Sequence, residues 1–263
     1  MSNAFDNISR QYKNKSLVQQ KAAQKLLTLL KIQDQDKVLD VGCGPGHITN
    51  AIAQLTAQKV IGTDISAGMI QQAQKNYPNL EFRQIATEDL KYQNEFDVVF
   101  CNSTFQWFKN TEPATQAMYK ALKTGGRIGI ACPGTRQWSP LFLKIIPVVT
   151  QRPELAPIFK HWQSPWVFLP EQKAYQDFFE KQGFKTIYIK VDYEKTKYST
   201  EDAYNIYLSG AANGFTNKSF YSIPITDEYI ELFNRSVKAE IIKNSQAGRI
   251  YVDFNRFYYL GVK

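Results

Sequence analysis

Val38-Leu39-Asp40-Val41-Gly42-Cys43-Gly44-Pro45-Gly46 is the stretch that decides the fold of this 263-residue chain. A short β-rich run, Lys37–Val41, breaks into glycines at every second position, and a helical pattern follows to Thr56. Glycines at a first strand-to-helix turn let a ligand approach the backbone closely and aim the helix N-terminus at negative charge. The spacing is G-x-G-x-G, and His47 stands where another glycine would complete G-x-G-x-x-G. A second β-rich run, Lys59–Thr63, ends at Asp64, about 20 residues on, where an acid accepts hydrogen bonds from both ribose hydroxyls. A glycine turn alone is weak evidence; the ordered set of strand, turn, helix, strand and acid is far more specific. Asp40 separates two cofactors. A carboxylate just before the turn repels a pyrophosphate but suits the ammonium of a methionine moiety, which favours S-adenosylmethionine over NAD.

The alternation continues outward. Leu17, Ala22, Ala23, Leu26, Leu27, Leu29 and Leu30 predict an amphipathic helix over Ser16–Lys31, with Ser16 as its cap. Ser66 caps a helix through about Lys75. Leu80–Ile85 reads as a third strand, and Phe96–Cys101 as a fourth, continuously apolar as a buried parallel strand should be. A helix over Glu112–Lys123 stops at Gly125-Gly126, and Arg127–Cys132 is the fifth strand. Strands separated by helices predict an α/β fold with a doubly wound parallel sheet. Beyond Pro133 the rhythm breaks: residues 134–170 hold six prolines and three tryptophans, predicting an irregular aromatic segment. A helix over Glu171–Gln182, a strand at Phe184–Val191, helices at Glu201–Ala212 and Asp227–Lys243, and a last strand at Arg249–Val262 complete the chain. The expected organisation is one domain over 1–263. Its core is about 32–133 with 171–192 and 248–263, its helical cap 134–170 and 193–247, and its N-terminal lid helix 1–31.

Composition excludes several classes. Cys43, Cys101 and Cys132 stand far apart without ligand-like spacing, which argues for a reducing compartment and against disulfides or a metal site. The apolar runs are strand-sized and the first residues are polar, so neither a membrane span nor a leader is expected, and a cytoplasmic location is. The formal charge of +8 is spread along the chain, whereas a nucleic-acid binder more often concentrates it. It reads as a solvated basic surface, or as electrostatic attraction of anionic substrates.

Together these motifs resemble the class I S-adenosylmethionine-dependent methyltransferases of the small-molecule type. Val38–Gly46 is similar to that family's first motif and Gly62-Thr63-Asp64-Ile65-Ser66 with Met69 to its second. Phe96-Asp97-Val98-Val99 followed by Asn102, and Leu122-Lys123-Thr124-Gly125-Gly126, resemble its later landmarks. The resemblance implies a Rossmann-like seven-stranded sheet of order 3-2-1-4-5-7-6. It implies a cofactor site built from Tyr12, Asp40, Gly42, Cys43, Gly44, Gly46, Asp64, Ile65, Met69, Thr87, Glu88, Asn102 and Ser103, with Asp64 on the ribose and Ile65 and Met69 against the adenine. One departure stands out. Where many relatives place an aspartate on the adenine amino group, this chain reads Ala86-Thr87-Glu88-Asp89, so the Thr87 backbone or Glu88 must substitute.

The acceptor is addressed by Asn102-Ser103-Thr104-Phe105-Gln106-Trp107-Phe108, after the fourth strand. Amine-methylating nucleic-acid enzymes resemble one another in an Asn-Pro-Pro-aromatic run here; both prolines are missing, which argues against a nucleic-acid acceptor. Phe-Gln-Trp is instead similar to methyltransferases of free or carrier-bound carboxylates: the trans-aconitate, malonyl-carrier-protein (biotin synthesis) and juvenile-hormone-acid enzymes. The stretch Phe5 to Ala23 is more like the last two and Asn255–Tyr259 more like the first, which leaves the subgroup open. The resemblance implies that Gln19, Gln106 and Trp107 position the acceptor. A carboxylic acid is already an anionic nucleophile at neutral pH, so alignment and removal of water suffice and no general base is expected. Arg256 either pairs within the fold or clamps a substrate carboxylate. Trp107 and Gln106 also read as core filler and a loop hydrogen bond, Tyr12 as packing on the first helix, His47 as structural or near the cofactor, and His161 as surface packing or a lining of the cleft. Two further functional readings stay open: methylation of carbon or another oxygen, as in quinone pathways, and a cofactor- or carrier-protein-binding module without turnover.

Overall fold

The computed structural model describes residues 17–263. Tyr12, the Ser16 cap and most of the expected lid segment lie outside the described residues. The first described helix, α1 (Leu17–Leu30), lays Ala22, Ala23, Leu26, Leu27 and Leu30 against the sheet, one face of a 3.6-residue repeat, while Val18 at its start joins the aromatic cluster of Trp138 and Phe142.

Seven strands form one sheet in the order β3-β2-β1-β4-β5-β7-β6. They are β1 (Val38–Val41), β2 (Val60–Asp64), β3 (Glu81–Gln84), β4 (Phe96–Asn102), β5 (Leu122–Pro133), β6 (Lys185–Ser199) and β7 (Arg249–Val262). The first five run parallel, and β7 is antiparallel to both its neighbours. Helices α2 (His47–Ala53), α3 (Ala67–Asn76) and α4 (Thr111–Ala121) make the early crossovers. Period-two alternation feeds two cores. Leu39, Val41, Val99, Cys101, Ile128 and Ile130 pack with α4 and α7 (Gln172–Lys181), while Val38, Val98, Phe100, Ala131 and Tyr258 pack beneath α1.

Several boundaries depart from expectation. The helix expected to Lys123 ends at Ala121, and β5 already begins at Leu122, because Phe96 pairs with Leu122 across the sheet. Strand β6 runs eight residues past Val191, through a stretch assigned above to the cap. It continues because Asp192–Ser199 find register partners in Arg256–Arg249. Residues 134–170 are not wholly irregular: α5 (Pro140–Thr150) places Phe142, Ile145, Ile146 and Val149 on one face. Pro140 sits at its start, where the missing N–H costs nothing, and Asp253 Oδ1 accepts the Leu141 N–H at 2.9 Å. A short α6 (Ala156–Phe159) follows. The helix expected over Glu201–Ala212 is two, α8 (Thr200–Leu208) and α9 (Ala211–Thr216), broken at Gly210.

The last helix, α10 (Asp227–Lys243), packs with α5 and α8 on Ile250, Val252 and Phe254, the part of β7 that extends past β5. All four tryptophans gather here: the Trp166 ring lies 5.8 Å from Trp107, 5.9 Å from Trp138 and 6.1 Å from Trp162. Among the described residues no helix is long and apolar enough to cross a membrane.

Candidate functional site

The carboxyl ends of β1, β2 and β4 meet at one crevice, the usual ligand position in an open α/β sheet. Gly42, Gly44 and Gly46 all take positive φ, so the turn coils in a conformation that disfavours other side chains. Two of them matter for opposite reasons. A Cβ on Gly42 would lie 2.1 Å from Thr104 Oγ1, so Gly42 lets the β4 loop close onto the turn. A Cβ on Gly44 would meet nothing within 4 Å, so that glycine faces open space.

Asp64 closes β2 beside this space. Its Oδ2 accepts the Gly44 N–H at 3.0 Å and its Oδ1 the Ser66 N–H at 2.8 Å, which ties the acid to the turn. Next to it Ile65 and Met69 are 71% and 45% exposed, an apolar face left uncovered beside the glycine turn. Ser66 caps α3 through the Met69 N–H, fixing that face. Thr87 is buried in a single 3-10 turn, Thr87–Asp89, at the end of β3. Glu88 borders an outer groove with Pro113 and Gln116.

Asp40 is buried between β1 and α2 and accepts the Thr49 hydroxyl at 2.7 Å. Burial pushes its carboxyl up to about 7; the Thr49 hydrogen bond opposes this and the negative charge of Asp64 adds to it. Burial and the same two acids raise the Cys43 thiol, which therefore stays protonated and apolar. His47 is held below its ordinary pKa by burial, and its Nδ1 meets Tyr77 Oη at 2.7 Å.

The acceptor side is built on the loop after β4. Ser103 takes φ +57°, rare for a non-glycine residue, and becomes a hub. Its N–H donates to Ala131 O at 2.6 Å, its O accepts Gln106 Nε2 at 2.9 Å, and its Oγ accepts Arg256 Nη2 at 2.8 Å. Asn102 Nδ2 donates to Gln19 O at 3.1 Å, and Gln19 Nε2 donates to Ser209 O at 3.1 Å, joining α1 to the end of α8. Gln106 is thus held within its own loop, and its backbone O also accepts the Val167 N–H at 2.9 Å. Trp107 stacks on Phe220 at 6.4 Å and meets Trp166 edge-on. His161 lies apart, with Ser222 Oγ 3.3 Å from its Nδ1.

Around this hub several buried polar atoms have no hydrogen-bond partner among the described residues: Gln19 Oε1, Asn102 Oδ1, Gln106 Oε1 and Arg256 Nε. Buried polar groups are normally satisfied, by protein, ordered water or a ligand, which makes this cluster a candidate ligand position. With Asp64, the open Gly44 cradle and the uncovered Ile65–Met69 face, the residues fit a nucleoside-bearing methionine derivative. Among the described residues no histidine, cysteine or acidic cluster could hold a metal ion. Sequence reading missed Phe220, Ser209 and the hub role of Ser103, since distant elements supply the first two and backbone conformation the third.

Fold and crevice define a class I, Rossmann-like methyltransferase architecture. A family described as methyltransferase domain matches residues 32–194, and the chain belongs to this family of S-adenosylmethionine-dependent enzymes. It is 30% identical over 142 residues to a malonyl-[acyl-carrier protein] O-methyltransferase of Acetivibrio thermocellus, covering 52% of this chain and 50% of that protein. It is 32% identical over 112 residues to a trans-aconitate 2-methyltransferase of Rhodopseudomonas palustris, covering 42% and 44%. The chain thus spans about half the length of the curated relatives it matches. The YcgJ protein of Bacillus subtilis shares the fold, with a TM-score of 0.60 over 92% of this chain and 98% of that one at 16% identity.

Proposed function

We propose that this chain transfers the methyl group of S-adenosylmethionine to a carboxylate oxygen of a small molecule or of a carrier-protein-bound acyl group, malonyl-carrier protein being the leading candidate. The supporting observation is the polar inventory of the acceptor side. The hub joins Gln19, Asn102, Ser103, Gln106 and Arg256, none of which is a base at neutral pH. A hub that holds no base among the described residues suits an acceptor that arrives as an anion, and a carboxylate does. The names of the two carboxylate-methylating relatives agree with this.

In this reading Asp64 and the turn of Gly42, Cys43, Gly44 and Gly46 hold the ribose and methionine parts. Ile65 and Met69 cover one face of the adenine, and the Thr87 backbone takes the bond that Ala86 cannot make. Asn102 Oδ1 accepts from the ammonium, and buried Asp40 favours that positive charge across the turn. When bound, S-adenosylmethionine supplies an electrophilic methyl group: an acceptor oxygen forms the new C–O bond, the C–S bond breaks with its electron pair left on sulfur, and no proton moves. The chain's contribution is alignment and exclusion of water. Gln19 holds α1 over the hub through Ser209, and the Trp107–Trp166–Phe220 group walls it from solvent.

The test is transfer of labelled methyl to a panel containing malonyl-carrier protein, tricarboxylates, long-chain acids and RNA. Label released by mild base from one acid is the expected result. Base-stable label would move the reaction to carbon, nitrogen or an ether oxygen, and cofactor binding without any label would leave a binding module.

A further inference from the structure

Arg256 differs from the other inward-facing arginines of this chain. Arg127 pairs with Asp36 at 2.5 Å and Arg152 with Glu240 at 2.9 Å. Arg256 is only 3% exposed, deeper than either, yet no carboxylate pairs with it among the described residues. Its Nη2 donates to Ser103 Oγ, and its Nε is buried without an acceptor. A guanidinium carries five N–H donors and stays charged at physiological pH; Tyr258 lies beside it and Glu194, which accepts the Tyr258 hydroxyl at 3.2 Å, attracts it from a distance, but no carboxylate pairs directly with its donors among the described residues. A fold that keeps such a group and pins it with a strained Ser103 is built to receive an anion.

Topology indicates which anion. The glycine turn follows β1, and Arg256 lies on β7, beyond β4 and β5 in the order β1-β4-β5-β7. Opposite Pro133, at the end of β5, it approaches the crevice from the flank away from β2 and β3. Asp64, Ile65 and Met69 occupy the opposite flank. The cofactor's nucleoside therefore belongs to one side of the hub and Arg256 to the other. We infer that Arg256, positioned by Ser103, is a carboxylate-binding residue that holds the acid group of the methyl acceptor. This rests on the carboxylate reading above and assigns its specificity to a residue far from the glycine and acid motifs in sequence.

Hexanoate and its uncharged isostere hexanamide serve as probes, titrated into the full chain with saturating S-adenosylhomocysteine and followed by tryptophan fluorescence and calorimetry. The wild-type protein should prefer the acid by about tenfold or more, as one charge-assisted contact implies. Arg256→Gln should abolish that preference with S-adenosylhomocysteine affinity unchanged, and Arg256→Lys should retain part of it. Should Arg256→Gln not fold, Ser103→Gly carries the test, because glycine relaxes the positive φ while removing the Oγ anchor. It should lower the acid preference, and an unchanged preference overturns the inference. Equal binding of acid and amide by the wild type overturns it too. So does loss of S-adenosylhomocysteine affinity in Arg256→Gln, which would place the cofactor's own carboxylate on Arg256. Failure of the two readings can be told apart. Base-labile label made equally well by Arg256→Gln sinks the arginine assignment alone. Base-stable label beside an Arg256-dependent acid preference sinks the carboxylate reaction and leaves an anion site.

Discussion

Replacing Asp40 by Asn removes one ionisable group from between β1 and α2 and leaves an oxygen to accept the Thr49 hydroxyl. The consequence follows from its titration. In the folded, ligand-free protein burial lifts the Asp40 carboxyl from an ordinary 3.8 to about 7. A raised folded pKa means that the native state holds the proton more tightly, so the contribution is complete below the unfolded pKa and is lost as pH rises through the folded one. With those two values, linkage puts the loss at about 2 kcal/mol at pH 5 and about 4 kcal/mol at pH 8, a difference of about 2 to 3 kcal/mol. Asp40→Asn lacks this term. Its stability relative to wild type should therefore rise by about 2 to 3 kcal/mol between pH 5 and pH 8, on top of any constant cost of burying the amide. Urea unfolding of both ligand-free proteins at the two pH values measures this, and other titrating groups cancel in the difference. A stability gap that does not change with pH would refute the reasoning. The cofactor provides the converse check. An arriving ammonium favours ionised Asp40, so binding near pH 6 should release a proton in wild type but not in Asp40→Asn, which calorimetry in two buffers of different ionisation enthalpy detects.

Asp64→Ala removes the acceptor of the Gly44 and Ser66 N–H groups as well as the expected ribose contact. Cofactor affinity should fall about a hundredfold or more while circular dichroism stays native, and retained affinity would sink the ribose assignment. Gly42→Ala and Gly44→Ala should separate stability from binding. The first drives a Cβ into Thr104 and should cost about 2 kcal/mol or more in folding. The second meets no atom but keeps the strain of a left-handed φ, so it should cost about 1 kcal/mol in folding, less than the first, with its larger damage in cofactor affinity. Trp107→Ala should impair turnover more than cofactor binding, and unchanged turnover would reduce Trp107 to packing on Phe220 and Trp166.

Sequence alone determined the parallel half of the sheet, its strand order by resemblance, the glycine turn and the acid after β2. Those features are local. Period-two burial, a helix cap and a glycine turn are decided within a few residues of chain, and their order restricts topology to very few solutions. The aromatic half was less legible for the converse reason. Asp192–Ser199 carry too few apolar residues to announce a strand, and only pairing with Arg249–Arg256 makes them one. Helix α5 hides behind Pro140 and Pro147, which suggest a loop until a face of Phe142, Ile145, Ile146 and Val149 finds the cap core. The site divides in the same way. Asp64 could be placed from its distance to the glycines, whereas Arg256 was left between an internal ion pair and a substrate clamp. Only tertiary structure decided that no internal acid pairs directly with it among the described residues, because the pairing of a buried charge depends on what elements distant in sequence bring beside it. Here they bring Ser103 onto Nη2 and keep Glu194 at a distance, on the Tyr258 hydroxyl.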